Sequence, residues 1–315
     1  MKEKIIYQMK DKAIWLVLVV LFIAFTIANT RFIAPNNLIM IARQVSMYGI
    51  ASIGMTFVIL IAGIDLATGS IITFVNIICA MLMVRCGMNM WLAILCSLIL
   101  ATLIGTLNGF MVSTVKMPAL IATFASQIVF EGISYLLCGG TPVYGFDENF
   151  KVIGQGYLGP IPIPVIIMIL CFAVGSFILN KTYFGRYFYA VGGNEEAARL
   201  SGINVGKIKY LIYSLSGFFA GLAGIVMLSR TNSGQPTAGK GYEFDVITCV
   251  VLGGVSVSGG YGKFSNVIAG VLIIGVLTNG MVLMNVSSYV QMLVKGVILG
   301  LAVGFDCLQN KKRAN

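Results

Sequence analysis

The chain of 315 residues contains no histidine. That removes Ser–His and Cys–His nucleophile pairs, histidine metal sites and histidine proton shuttles together. The seven cysteines (Cys79, Cys86, Cys96, Cys138, Cys171, Cys249, Cys307) are scattered, without a C-x-x-C pair and mostly inside apolar runs. They read as small packed side chains with free thiols. Lys295 with Ser287 or Ser288 is a poor Ser–Lys pair, placed near the outer third of an apolar segment. The stretch "GQPTAGKG" (234–241) matches the first part of a phosphate loop. Gly241 stands where the magnesium-binding Ser or Thr is needed, Pro236 interrupts the loop, and no strand precedes it. The chain therefore shows neither bond-making chemistry nor an ATP site of its own.

What remains is a set of polar side chains in apolar surroundings. Asp65 lies between two apolar runs and Glu131 sits inside a third. A charge in hydrocarbon costs several kcal/mol unless it meets a polar interior or a partner. Such residues line a substrate path or hold a structural bond. The context "GIDLATG" favours a helix cap for Asp65, and Glu131 fits either use. Asn76, Asn108, Gln127 and Asn279 are uncharged groups within apolar segments. They suit contact with a hydroxyl-rich neutral solute, and equally the commoner hydrogen bonding between helices.

The elements that hold these residues are membrane spans. Hydrophobic residues make up 58% of the chain and charged residues 10%, with mean hydropathy +0.94, against roughly 25% charged in soluble domains. Segments near 13–30, 46–64, 67–84, 89–112, 118–138, 161–180, 210–229, 246–258, 264–284 and 287–306 are candidate spans. The eighth is short and glycine-rich. The expected fold is all-α: one transmembrane domain over 1–315, of about ten helices embedded in membrane lipid. The first segment reads as a retained signal anchor, because no small-residue cleavage site follows it before Arg31. The net charge of +10 is concentrated at the edges of apolar runs, at Lys2, Lys4, Lys10 and Lys12 and at Lys311, Lys312 and Arg313. This is the pattern that orients a membrane protein, not one that binds nucleic acid. Both termini and the loop 181–209 are expected in the cytoplasm, and the loops 139–160 and 230–245 outside. Arg31 and Arg43 fall on the outer side, so part of 31–45 is expected as an interfacial or broken helix. An internal repeat is also legible. "LIAGIDLATG" (60–69) parallels "VLGGVSVSGG" (251–260), and "GTLNGFMV" (105–112) parallels "GVLTNGMV" (275–282). Its sense, parallel or inverted, stays open. The run "GFFAGLAG" (217–224) suits close helix packing.

One polar stretch stands apart, "YAVGGNEEAARLSGINVG" (189–206). Asn194 is a good N-cap. Glu195 and Glu196 sit at the positive end of the helix dipole and Arg199 near the negative end. Gly202 can end the helix in the left-handed conformation. A helix of about two turns is unstable alone in water and must dock, either on its own membrane domain or in the groove of a soluble partner.

"GRYFYAVGGNEEAARLSGINVGKIK" (185–209) resembles the cytoplasmic coupling segment of permease subunits of ATP-binding-cassette sugar importers. "SGQPTAGKGYEFDVITCVVLGGVSVSGGYGKF" (233–264), "GIDLATGS" (63–70) and "SSYVQMLVKGVILGLAV" (287–303) resemble the same family, and most closely its ribose permeases. The resemblance covers most of the chain. It implies the bacterial inner membrane, a second permease copy (identical or paralogous) and a cytoplasmic ATPase that carries ATP and magnesium, with no cofactor on this chain. It also implies a periplasmic or lipid-anchored sugar-binding protein that meets the outer loops. The coupling contact is carried onto Gly193, Asn194, Glu195, Glu196, Ala197, Ala198, Arg199, Leu200 and Gly202. The implied function is inward transport of ribose or a related monosaccharide. An ion-gradient transporter is the alternative, and it gives the 194–202 helix no work.

Overall fold

A computed structural model describes the backbone of residues 2–314 and the side chains of 13–309 and 311. The basic side chains of Lys2, Lys4, Lys10, Lys12, Lys312 and Arg313 lie outside the described residues. The helices in chain order are α1 (Lys2–Ala28), α2 (Pro35–Leu60), α3 (Ala67–Val84), α4 (Met90–Ser113), α5 (Ala119–Cys138), α6 (Glu148–Gln155), α7 (Ile163–Lys181), α8 (Tyr183–Gly193), α9 (Glu195–Leu200), α10 (Val205–Thr231), α11 (Tyr242–Leu252), α12 (Phe264–Leu283) and α13 (Ser288–Ala314). A hairpin of β1 (Tyr157–Leu158) and β2 (Ile161–Pro162) separates α6 from α7.

Each of the ten expected segments falls on a helix. Among the described residues eight helices are long and apolar enough to cross a membrane: α2, α3, α4, α5, α7, α10, α12 and α13 over Ser288–Gln309. The apolar part of α1 is Ala13–Ala28. The 11 residues of α11 rise only about 16 Å, half the hydrocarbon thickness of ~30 Å. The structure sharpens the sequence reading at two places. The segment 31–45 is a 3-10 turn (Thr30–Ile33) followed by the unbroken start of α2. Pro35 opens α2 with its φ already helical, and buried Asn37 ties the entry to Phe32 O and to Asn279. The loop 181–209 contains a second helix, α8, which buries Gly185, Phe188 and Val191.

The long α10 runs through the core against α4, α2 and α3. The small-residue run 217–224 makes this possible. A Cβ on Gly217 would lie 3.0 Å from Gly105 Cα, and one on Gly224 2.8 Å from Ile72 O. Backbones this close leave room for hydrogen only, which is how helices pack tightly in lipid.

The connections gather at two ends. At one, here the α9 end, Ser113 Oγ donates to Gly206 O, and Gly260 N donates to Leu60 O at 2.8 Å. At the other, the α6 end, Val143 bridges Gly234, Asn29 Nδ2 donates to Leu283 O, and Arg43 reaches Gln155 O. The loops 139–160 and 230–245 therefore meet at the α6 end through Val143 and Gly234, and from there the second runs along α3 into the bundle, with Gln235 N on Asn76 Oδ1 and Gly239 N on Thr73 Oγ1. The similar stretches 60–69 and 251–260 lie side by side at the α9 end, each at the exit of a helix that runs toward it. The second pair is not equivalently placed. Residues 105–112 lead to the α9 end, whereas 275–282 lie at the α6 end, where Asn279 bonds Asn37.

Candidate functional site

At the α9 end, α8 and α9 form a platform across the bundle. Asn194 caps α9: its side chain accepts from Ala197 N at 2.9 Å. Gly202 (φ 84°) and the bond from Ile203 N to Ala198 O close the other end. Ala198 is buried against the bundle, while Glu196, Ala197, Arg199 and Leu200 face outward. Leu200 is 82% exposed, a large apolar side chain displayed on a polar helix.

Glu195 belongs to the inner side of α9. Lys209 Nζ, at the start of α10, donates to Glu195 Oε2 at 2.8 Å, and Arg199 donates to Oε1 at 3.2 Å. Partial burial pushes the Glu195 carboxyl up; the Lys209 hydrogen bond and the charges of Lys209, Arg199 and Lys116 outweigh it and hold the group below its usual range. A carboxyl held low stabilises the docked helix at pH above its unfolded value of about 4.3 and loses that contribution as the pH falls through the lower folded value. Amide hydrogen exchange at Ala198 and Arg199 is therefore expected to be equally protected from neutral pH down to about 5 and to lose protection below about 4. Lys209→Met should remove the pH dependence; protection that falls already near neutral pH would contradict the assignment.

The platform touches the bundle through backbone. A Cβ on Gly192 would overlap Leu60 O and lie 2.5 Å from Gly260 N; one on Gly260 would lie 2.6 Å from Gly193 Cα; one on Gly259 would lie 2.7 Å from Ala62 N. Tyr189 Oη donates to Gly262 O at 2.9 Å. Three chain segments, 60–62, 192–193 and 259–262, thus meet without intervening side chains. Two of them are the turns between α2 and α3 and between α11 and α12, and the third leads straight into α9.

The six polar candidates within spans divide. Asp65 is fully buried and accepts from Ala67 N at 3.1 Å and Ser216 Oγ at 2.7 Å, tying the start of α3 to α10. Asn76 Oδ1 accepts from Gln235 N at 2.8 Å. Asn108 Oδ1 accepts from Ser126 Oγ, joining α4 to α5. Asn279 and Asn37 exchange bonds at 2.9 and 3.0 Å. Gln127 and Glu131, one turn apart on α5, are only half-buried. Gln127 Nε2 donates to Glu243 Oε1 at 2.9 Å. Glu131 makes no hydrogen bond or ion pair among the described residues.

Sequence reasoning passed over the start of α11. Glu243 and Asp245 are buried there, and Asp245 Oδ2 accepts from Lys295 Nζ of α13 at 2.7 Å and from Tyr48 Oη at 3.1 Å. The signal was present in "YEFD" (242–245), two acids around an aromatic at the head of an apolar run. The phosphate-loop resemblance just before it drew the reading elsewhere. Among the described residues no group of His, Cys, Asp and Glu is arranged to hold a metal ion.

This arrangement is a bundle with a small exposed helix joined through backbone to two turns at one end. No solved structure matches the chain. The ribose import permease protein of Bacillus subtilis (strain 168) is 44% identical over 92% of this chain and 90% of its own length. That of Escherichia coli (strain K12) is 43% identical over 98% and 95%. The L-arabinose transport system permease protein of Escherichia coli (strain K12) is 39% identical over 94% and 90%. The family model of branched-chain amino acid transport system permease components matches residues 37–303, and the chain belongs to that family of polytopic membrane permeases.

Proposed function

We propose that the chain is the membrane-spanning subunit of a binding-protein-dependent importer that carries ribose or a related monosaccharide inward. ATP hydrolysis drives it from a separate cytoplasmic subunit, which binds the ATP and magnesium. The observation that carries this reading is the outward face of α9, with Leu200 displayed beside Glu196 and Arg199, on a helix whose inner side is fixed to the turns at 60–62 and 259–262. Its coupling contact runs over Gly193, Asn194, Glu195, Glu196, Ala197, Ala198, Arg199, Leu200 and Gly202. The names of the relatives favour pentoses over amino acids as cargo.

The α9 end faces the cytoplasm with both termini, in the bacterial inner membrane, and the α6 end faces a sugar-binding protein. The whole chain forms one membrane domain, and two permease copies enclose the path. Gln127 and Glu131 line it; Asp65, Asn76, Asn108 and Asn279 hold the helices that shape it. The test is uptake by proteoliposomes that carry the chain with its ATPase and binding protein. Labelled ribose, arabinose or xylose should accumulate well above labelled leucine, and accumulation of leucine over all three sugars would overturn the sugar assignment.

A further inference from the structure

Successive residues of a helix point about 100° apart. On α11, Glu243 turns toward α5, where it holds Gln127, and Asp245 turns toward α13, where it holds Lys295. Phe244 between them therefore points along the bisector, into the furrow between α5 and α13, and its side chain is 48% exposed. The walls carry charge at matching depth. Glu131 lies seven residues before the end of α5 and Lys295 seven residues after the start of α13, each about 10 Å along its helix from the α6 end. Lys295 keeps 22% of its side-chain surface open despite its ion pair. Glu131 is half-buried and unpaired among the described residues. Gln127 Oε1 is buried without a hydrogen-bond partner, whereas Glu243 Oε2 is packed against Gly69 of α3. Below Phe244 the same face of α11 is buried at Ile247, Thr248 and Val251, which closes the furrow toward the α9 end.

An unpaired carboxyl and a partly open ammonium at this depth are unfavourable against lipid tails. They call for water or a polar ligand in front of them. An exposed aromatic ring framed by a few planar and charged polar groups is the composition of a small-molecule site. A sugar fits it by chemistry: the C–H face of its ring lies on the aromatic surface, and its hydroxyls bond the carboxylate, amide and ammonium at the edges. We propose that Phe244 is the sugar platform of the translocation path, with Glu131 on one wall and the Asp245–Lys295 pair on the other. The furrow is open sideways, and the same furrow of the second permease copy completes it. Glu243 is a positioning residue that fixes Gln127 and so the spacing of α5 from α11.

The inference rests on the sugar-importer reading, and the test separates the two. In proteoliposomes with the ATPase and binding protein, ATP-dependent ribose uptake by the parent establishes the importer. Phe244→Leu keeps the bulk but not the ring, and is expected to lower uptake at least tenfold, whereas Phe244→Trp restores at least half of it. Phe244→Cys should react with a charged, membrane-impermeant maleimide above the background of the native cysteines, which a lipid-facing position would not do. Uptake by Phe244→Leu within twofold of the parent overturns the platform. So does a Phe244→Cys chain that assembles with the ATPase yet stays unlabelled.

Discussion

Replacing Gly192 with valine is expected to stop sugar uptake while leaving the ATPase bound. The reason lies in what surrounds the missing side chain. A Cβ at Gly192 would run into Leu60 O and come within 2.5 Å of Gly260 N. Those two atoms are themselves hydrogen-bonded at 2.8 Å. Both are main chain, so neither can swing aside as a long side chain would. Overpacking of this kind costs about 1–3 kcal/mol, and the cheapest relief is to lift α8 off the turns. That breaks the link between α9 and the ends of α2 and α11 without touching the outward face of α9. Uptake should fall at least tenfold. Gly304→Ala, on α13 and away from both the junction and the coupling contact, is the control, because its Cβ would meet nothing within 4 Å. It should transport within twofold of the parent. Equal uptake by both variants, or equal loss, would refute the junction as the transmitting element.

The second large effect is expected at Leu200, where aspartate should abolish co-purification with the ATPase. Leu200 is 82% exposed, so the substitution removes no contact within the chain and leaves folding intact. Burying a leucine on a partner contributes about 1.5–3 kcal/mol, and a desolvated aspartate adds a penalty of its own. Each ~1.4 kcal/mol is tenfold in affinity, so assembly should weaken by at least tenfold. Changing Glu195 and Glu196 together to lysine has a mixed origin. The exposed Glu196 acts at the partner, and Glu195 acts within the chain by losing Lys209. A Leu200→Asp chain that still binds the ATPase with the parent's affinity would move the contact elsewhere.

How far the sequence could be read follows the physics of each signal. Apolar runs of span length and the Asn194 cap are local, and they marked the helices and α9 within a few residues. The missed helix α8 is short and aromatic, and its helicity comes from Phe188 and Val191 packing below it. No local pattern announces that. The same applies to the polar residues within spans. Asn279 and Asn37 are 242 positions apart and satisfy one another, so the sequence cannot separate them from Glu131, which has no partner among the described residues. The glycines at 192, 259 and 260 carry no local signal of a role; only their approach to Leu60 and Ala62 gives them a purpose. The resemblance to sugar permeases supplied what spacing could not, a reason for the polar helix to exist.

The central claim is that this chain moves its solute only when a separate ATPase acts on α9. Its most direct measurement is ribose uptake by proteoliposomes containing the purified chain and binding protein, with the ATPase and ATP either present or left out. Accumulation that requires both ATPase and ATP, and that an imposed ion gradient cannot replace, is the expected result. Accumulation by the chain without any ATPase, driven by an ion gradient, would contradict it.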